Sequence, residues 1–96
     1  MSESSRQLEF LPEVLFQPLG GEAVLLNLNN NRYYGLNEVG ARTWQLLQEH
    51  GEVGAAVTQL LEEYEVDEAT LRQDVEALVA QLIEQEMLTA VSTPAN

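Results

Sequence analysis

The residues that could do chemistry in this chain are few, and their spacing matches no catalytic arrangement. There is no cysteine and one histidine, so the sequence offers neither a thiolate nucleophile nor a histidine-rich metal site. The serines are confined to the two ends, away from any candidate base. Acidic pairs such as Glu62–Glu63 and Glu84/Glu86 are more typical of a solvated helix face than of a paired acid and base.

The histidine and the glycine pair do not change this interpretation. His50 lies near a predicted helix end, where a histidine usually interacts with the helix dipole. Gly20-Gly21 leads into a strand, whereas a phosphate-binding loop leads into a helix. The sequence therefore predicts a binding module that is not an enzyme and has no cofactor or metal.

The charge of the chain limits its partners. Sixteen acidic residues stand against four arginines and no lysine, which gives a net charge of −12. Nucleic acids and anionic membranes are bound largely through basic residues, so we expect neither as a partner. A basic protein surface is the alternative, although the charge also fits a role in solubility. With no long apolar run and no basic-then-apolar N-terminus, the protein is expected in the cytoplasm.

The stretch Glu22–Asn37 is the centre of the predicted fold, because it is typical of two short strands joined by a tight turn. One face of its first strand is apolar throughout and the other is half apolar; the two sets are Val24, Leu26, Leu28 and Ala23, Leu25, Asn27. The asparagines 29–31 tolerate the left-handed angles of a hairpin turn. Tyr33 and Tyr34 then favour a second strand, because aromatic residues suit a pleated, half-buried surface. Gly35 indicates a bulge or a close backbone approach.

A preceding strand and three following helices complete the prediction. The stretch Phe10–Phe16 is the expected first strand, which Pro12 and Pro18 confine to a sheet edge. The first helix follows the N-cap Asn37 and ends near His50, with Val39, Thr43, Trp44 and Leu47 on its buried side. The second spans residues 53–64 with one apolar stripe. The third follows the N-cap Asp67, ends near Met87, and carries a wide stripe of Leu71, Val75, Leu78, Val79, Leu82 and Ile83.

This order of elements predicts an α+β fold, a winged helix-turn-helix-like domain with a three-stranded antiparallel β-sheet followed by three α-helices. We expect the domain to span residues 10–88, with flexible tails at 1–9 and 89–96. Winged helices commonly bind DNA, but the net charge contradicts that use. Arg72 is the one basic residue in the predicted third helix, whereas a recognition helix needs several.

The segment from Gly21 to Leu88 resembles the PqqD family, which includes the leader-peptide recognition elements of ribosomally made, modified peptides. The motif residues are Arg32-Tyr33-Tyr34-Gly35-Leu36-Asn37, Gly40, Trp44-Gln45-Leu46-Leu47, Tyr64-Glu65-Val66-Asp67, and Asp74-Val75 with Leu78 and Leu82. The chain is most similar to the stand-alone leader-binding proteins of lasso peptide biosynthesis.

The resemblance implies that a precursor's leader peptide adds as a strand to the edge of the third strand and lies beside the third helix. The implied peptide-binding residues are Asn31, Arg32, Tyr33, Tyr34, Gly35 and Leu36 on the strand, and Leu71, Asp74, Val75 and Leu78 on the helix. Tyr33 and Tyr34 point to opposite faces, so one packs inward and the other helps to shape the groove. Plain core packing is an equally good explanation of Leu71 and Val75.

Three functions stay open on the sequence alone. The first, which the resemblance favours, is recognition of the leader of a ribosomally synthesised precursor peptide, of the lasso type, and its delivery to a partner leader protease or maturation enzyme. The second is a PqqD-type chaperone for the precursor of pyrroloquinoline quinone. The third is an acidic winged-helix adaptor that docks on a basic protein and binds no leader.

Overall fold

The computed structural model describes residues 8–90 of the chain. Its strands are β1 (Leu8–Glu9), β2 (Val14–Leu19), β3 (Glu22–Asn27), β4 (Arg32–Leu36) and β5 (Thr89–Ala90). Its helices are α1 (Glu38–His50), α2 (Val53–Glu63) and α3 (Glu68–Glu84). The α+β fold class, with a three-stranded antiparallel sheet followed by three helices, is confirmed.

The sheet has the order β2-β3-β4, and both connections are tight hairpins. Gly20 and Gly21 join β2 to β3 with φ of 64° and 123°, angles that glycine adopts at little steric cost. Asn31 closes the next turn with φ of 63°, so the prediction of a left-handed asparagine is confirmed. The register from β3 to β4 is regular, and Gly35 therefore marks no bulge.

The first strand of this sheet lies later in the sequence than predicted. The stretch Phe10–Phe16 includes a turn at Pro12-Glu13, and β2 continues through Pro18, which pairs with Ala23. Proline is tolerated there because β2 is an edge strand and position 18 directs its backbone nitrogen away from β3. Pro18 thus belongs to the strand instead of ending it.

The helices cover the less apolar face of β3. Ala23, Leu25 and Asn27 are buried, with exposed fractions of 2%, 0% and 2%. Leu28, from the wholly apolar set, is 53% exposed. Asn27 can be buried because its side chain is paired at both ends: it donates to the Glu86 carbonyl and accepts from the Asn29 N–H.

The helix ends agree with their capping residues. Asn37 accepts from the Gly40 N–H at 2.8 Å, and Asp67 accepts from the Thr70 N–H at 3.0 Å. Gly51 ends α1 in the left-handed region, with φ of 81°. These boundaries confirm the predicted starts of α1 and α3.

One core lies between the sheet and the helices. Trp44 is 1% exposed and meets Phe10 edge-on, with ring centroids 5.0 Å apart, so it is the core anchor that the sequence predicts. The predicted buried position Val39 is wrong, because its side chain is 41% exposed at the start of α1. The largest fully buried apolar side chains are Leu25, Trp44, Leu46, Leu47, Val53, Val57, Leu60, Val79, Leu82, Met87 and Leu88.

A second, two-stranded ladder joins the two ends of the described chain. β1 pairs with β5, and Leu8 is buried with its N–H donated to the Gly51 carbonyl at 3.0 Å. These four residues belong to the predicted tails, and Leu8 is part of the core. Residues 1–7 and 91–96, the remainder of those tails, lie outside the described residues.

Candidate functional site

The hydrogen bonds of β3 reveal which backbone groups of the sheet are unpaired. In a strand, consecutive residues direct their N–H and C=O to opposite sides. The Leu28 N–H donates to Glu13 on the β2 side, whereas the Asn27 carbonyl accepts from Asn31 on the β4 side. Ala23 and Leu25, which alternate with Asn27, therefore bond to β4.

The register between β3 and β4 then shows which backbone N–H and C=O groups of β4 are unpaired. Ala23, Leu25 and Asn27 lie opposite Leu36, Tyr34 and Arg32, which direct their backbone groups toward β3. Tyr33 and Gly35 alternate with these residues, so their N–H and C=O groups point to the open edge of the sheet. Tyr33 and Gly35 thus offer two donors and two acceptors to an added strand.

The other edge of the same sheet is less open. Its outward positions on β2 are Val14, Phe16 and Pro18, because Leu15, Gln17 and Leu19 bond to β3. Pro18 has no N–H, and the Val14 N–H donates to the Leu11 carbonyl at 3.1 Å. Phe16 is left as the one outward donor of β2 among the described residues. Proline at an edge is a common protection against strand pairing, and β4 lacks it.

The side chains of β4 alternate between the core and solvent. Leu36 is buried, and Tyr34 is half-buried against the core on the helix side. Tyr33 lies on the opposite face and is 74% exposed, and Gly35 beside it is exposed as well. Asn31 lies in the turn, and Arg32 reaches toward α3, with Nη1 3.4 Å from the Gln85 Oε1 atom.

An apolar groove of about 510 Å³ lies between the start of α1 and the first half of α3. Its lining residues are Asn37, Val39, Gly40, Thr43, Val66, Thr70, Leu71, Asp74, Val75, Ala77 and Leu78. The structure therefore brings the four predicted helix residues together in one groove. None of the six predicted strand residues lines the groove: they lie on or just before β4, and the lining begins at Asn37, the residue after β4. Whether these ten residues bind a peptide stays a prediction.

Two exposed valines on the groove were not predicted. Val39 is 41% exposed and Val66 is 48% exposed, and both line the groove. An apolar side chain left in solvent at the mouth of an apolar groove gains from any partner that covers it. The signal for Val66 was present in the sequence, since it stands alone between two charged residues in the link from α2 to α3.

Different contacts hold the two ends of β4 to the helices. At one end Gly40 packs against the preceding turn, where an added Cβ atom would lie 3.1 Å from Asn37 Oδ1 and 3.4 Å from Leu36 Cδ2. At the other end the turn between β3 and β4 is fastened to the residues after α3: Asn27 and Asn30 donate to Glu86. β4 thus begins near the end of α3, where Arg32 meets Gln85, and Asn37, which follows β4, lines the groove with residues from the first half of α3.

The groove carries a negative charge at Asp74. Asp74 is exposed in its lining, and the described ion pairs, Arg42–Glu63 and Arg72–Glu68, do not include it. Arg32 lies at the far end of β4, next to Gln85. A ligand that fills the groove would therefore place apolar groups on Leu71 and Val75 and could place a donor on Asp74.

A smaller cavity of about 280 Å³ lies where the β2–β3 hairpin meets α1. It contains Arg42, whose guanidinium binds both carboxylate oxygens of Glu63 on α2 at 2.8 Å and 2.6 Å. This hydrogen-bonded pair, with a further bond from Gln59, lowers the pKa of Glu63 to about 2. The pair fastens α1 to α2 and is separate from the groove.

Between residues 8 and 90, no group of three or more histidine, aspartate or glutamate side chains is placed to hold a metal ion. None of the helices in this part of the chain has the length and apolar character needed to cross a membrane.

Comparison with known proteins agrees with the resemblance found in the sequence. The model of the family described as coenzyme PQQ synthesis protein D (PqqD) matches residues 22–88. A solved structure, TbiB1 in complex with the TbiA(beta) leader peptide, is 30% identical, covers 88% of this chain and 99% of its own, and superposes with a TM-score of 0.80. Lasso peptide synthetase B1 complexed with the leader peptide is 27% identical, covers 90% and 99%, and has a TM-score of 0.74. No curated protein matches significantly. The predicted resemblance is confirmed, and the chain belongs to the PqqD family.

Proposed function

We propose that this protein binds the leader segment of a ribosomally synthesised precursor peptide, of the lasso peptide type, and delivers it to a partner leader protease or maturation enzyme. The observation that carries the proposal is the open edge of β4, which leads at Asn37 into an apolar groove between α1 and α3. Both solved structures that resemble the chain over most of its length hold a leader peptide.

Strand addition is the binding mode that the backbone of β4 supports. Tyr33 and Gly35 direct their N–H and C=O groups outward, and no proline interrupts the strand. Each backbone hydrogen bond formed there contributes about 0.5–1.5 kcal/mol, whatever the side chains of the leader. The edge therefore supplies affinity that tolerates changes in leader sequence.

The groove supplies the selection among leaders. Val39 and Val66 are exposed at its rim, and the half-buried Leu78 lies in its lining. Covering apolar surface contributes about 25 cal/mol per Å², so a leader with a large apolar side chain at this position binds best. Asp74 adds a carboxylate that favours a basic or hydroxyl-bearing neighbour on the leader.

The proposed role is non-catalytic. Of the residues that could act as a nucleophile or base, His50 is exposed at the end of α1, and among residues 8–90 Asp74 is the one carboxylate that lines the groove. Cleavage or cyclisation of the precursor must then be done by a partner. Turnover of a precursor by the purified protein alone, abolished by a point substitution in it, would contradict this part of the proposal.

The experiment that tests leader binding is recovery of the precursor from the native host. The tagged protein is used as bait, bound peptides are identified by mass spectrometry, and the synthetic leader segment is titrated by calorimetry. We expect one short precursor whose leader alone accounts for the affinity. Leu78→Asp is the matched negative bait, because it places a charge in the apolar groove.

The same experiment separates the three functions. Recovery of the precursor peptide of pyrroloquinoline quinone would favour the chaperone role. Recovery of a basic protein by both baits, with no peptide in either sample, would favour the acidic adaptor and contradict the proposal.

A further inference from the structure

The turn between β3 and β4 is bonded to a residue just after the end of α3. We call this contact the hairpin clasp and define it by Asn27, Asn30 and Glu86. Asn27 donates to the Glu86 carbonyl at 2.7 Å, and Asn30 donates to the Glu86 carboxylate at 2.5 Å. We infer that Glu86 is a positioning residue for leader binding, because the clasp holds β4 and α3 at the separation that a leader strand requires. The inference rests on the proposed function.

Glu86 occupies a backbone position that usually belongs to glycine. Its φ is 65°, in the left-handed region. The Met87 N–H donates to the Leu82 carbonyl at 2.8 Å, and the Glu86 N–H donates to the Ile83 carbonyl at 3.0 Å, a pattern in which helices commonly end on a left-handed glycine. Helix α1 of the same chain does end on such a glycine, Gly51. A side chain at position 86 therefore carries a steric cost that glycine would avoid.

The carboxylate of Glu86 is the group that a glycine could not supply. A glycine would keep the carbonyl that accepts from Asn27 but would lose the Oε1 atom that accepts from Asn30. The bond between Asn30 and Glu86 is exposed, and it adds little to stability because water would bond to both groups if it broke. Stability alone thus does not explain the glutamate. Residues that break a local backbone preference are often found at functional sites.

The clasp lies directly before the open edge of β4. The Oδ1 atom of Asn30 accepts from the Arg32 N–H at 3.0 Å, and the Arg32 Nη1 atom lies 3.4 Å from Gln85 Oε1. Tyr33, the first residue of β4 with outward backbone groups, follows Arg32. Hydrogen bonds therefore connect the start of the open edge, through Asn30, to the end of α3.

A direct bond between the hairpin and α3 matters because the two elements are otherwise joined mainly through other helices. α1 packs against β3 and β4, and α3 packs mainly against α2. A leader strand must lie about 4.8 Å from β4 while its side chains reach the groove. A protein that already holds its elements at the right separation loses less conformational entropy on binding, and the fraction of competent molecules sets the apparent affinity.

The test compares Glu86→Gly with Glu86→Gln. The glycine variant removes both the steric cost and the bond to Asn30, whereas the glutamine variant keeps an oxygen acceptor. Each variant is titrated by calorimetry with the synthetic leader of the precursor recovered from the native host, and its urea midpoint is measured. We expect the glycine variant to be at least as stable as wild type and yet to bind the leader about three- to tenfold more weakly. The glutamine variant should bind within about twofold of wild type.

Two controls separate the bond from charge and from direct contact with the leader. Glu84→Gln removes a charge from an exposed position near the same end of α3 and should not change leader affinity. Asn30→Ala should weaken leader binding, and adding Glu86→Gly to it should change the affinity by less than about twofold, because the bond is already broken.

A third readout needs no leader. Because the chain has no cysteine, spin labels at Leu28→Cys and Gln81→Cys, two exposed positions, report the distance between the hairpin and α3. The distance distribution should be broader in Glu86→Gly than in wild type, and Glu86→Gln should restore it.

Leader affinity equal to that of wild type in the glycine variant would overturn the inference, as would a glutamine variant as weak as the glycine variant. A joint loss of stability and affinity in Glu86→Gly would assign Glu86 a structural role only, and would also overturn it. These results would leave leader binding by the wild type intact. If the wild type does not bind the leader, the proposed function itself fails.

Discussion

The side-chain amide of Asn27 donates to the backbone carbonyl of Glu86 at 2.7 Å, a bond between residues 59 positions apart. Asn27 ends β3, and Glu86 lies just after α3 with a φ of 65°. The bond fixes the hairpin to the end of α3. It therefore sets the separation of β4 and α3, the two elements beside which the leader is proposed to lie.

Asn27→Ala should lower the free energy of unfolding by about 1–3 kcal/mol, because the part-buried bond to the Glu86 carbonyl and the bond from the Asn29 N–H are both lost. The measurement is urea denaturation followed by circular dichroism. Asn29→Ala is the matched control: the side chain of Asn29 is exposed, and its backbone N–H, which donates to Asn27, is kept. An equal loss of stability in both variants would contradict the role given to Asn27.

The Arg42–Glu63 pair should make part of the stability depend on pH. The pKa of Glu63 falls from 4.5 to about 2 because Arg42, and then Gln59, donate hydrogen bonds to its carboxylate. A lowered folded-state pKa stabilises the protein above the ordinary pKa, and this contribution is lost as the pH falls from about 4.5 to about 2. The stability difference between wild type and Glu63→Gln should shrink across that range.

Denaturation midpoints measured at several pH values test this prediction. Glu62→Gln is the control, since Glu62 is the exposed neighbour of Glu63 and takes part in neither described ion pair. A difference between wild type and Glu63→Gln that stays constant down to about pH 2 would show that the carboxylate is not stabilised by Arg42.

Local signals predict most of this fold. The caps Asn37 and Asp67, the glycine Gly51 and the asparagine turn each satisfy a backbone requirement that depends on a few neighbouring residues. The apolar stripe of α3 likewise predicts its buried face, with Leu71, Val75, Val79 and Leu82 all buried. The fold class then follows from the order of the elements.

Contacts between distant residues account for what the sequence could not predict. In the sequence, Asn27 marks its face of β3 as the solvent-facing one. The distant Glu86 carbonyl accepts from its side chain and allows it to be buried, so alternation alone could not identify the face that the helices cover. Val39 fits the buried stripe of α1, but at the first turn of the helix it meets the groove. Leu8 pairs across a ladder with the other end of the domain.

The sequence could predict that the four helix residues lie together, but not which backbone groups of β4 are free. Leu71, Asp74, Val75 and Leu78 share one helix face, and the structure places all four in the groove. Which backbone groups of β4 are free depends on the register with β3, which no property of the single strand determines.

Leu78→Asp should reduce leader affinity strongly while leaving the protein folded. Leu78 is half-buried in the groove, so the carboxylate can remain hydrated in the free protein but would be covered in the complex. Calorimetric titration with the leader measures the effect. Leu61→Asp is the control, because Leu61 is a half-buried leucine on α2 that does not line the groove. Equal affinity of the two variants would place the leader elsewhere.

The central claim is that the leader adds as a strand to β4, and proline substitution at Tyr33 tests it most directly. The Tyr33 N–H points to the free edge, whereas the Tyr34 N–H points to β3. Tyr33→Pro removes an edge donor and should spare the sheet; Tyr34→Pro removes a bond within it and should unfold the protein. Tyr33→Ala removes the same side chain as Tyr33→Pro but keeps the N–H.

The decisive measurement is the dissociation constant of the leader for Tyr33→Pro against Tyr33→Ala, with circular dichroism to verify that both are folded. Loss of one backbone hydrogen bond predicts that the proline variant binds about two- to twelvefold more weakly than the alanine variant. Equal affinity of the two folded variants would contradict strand addition at β4.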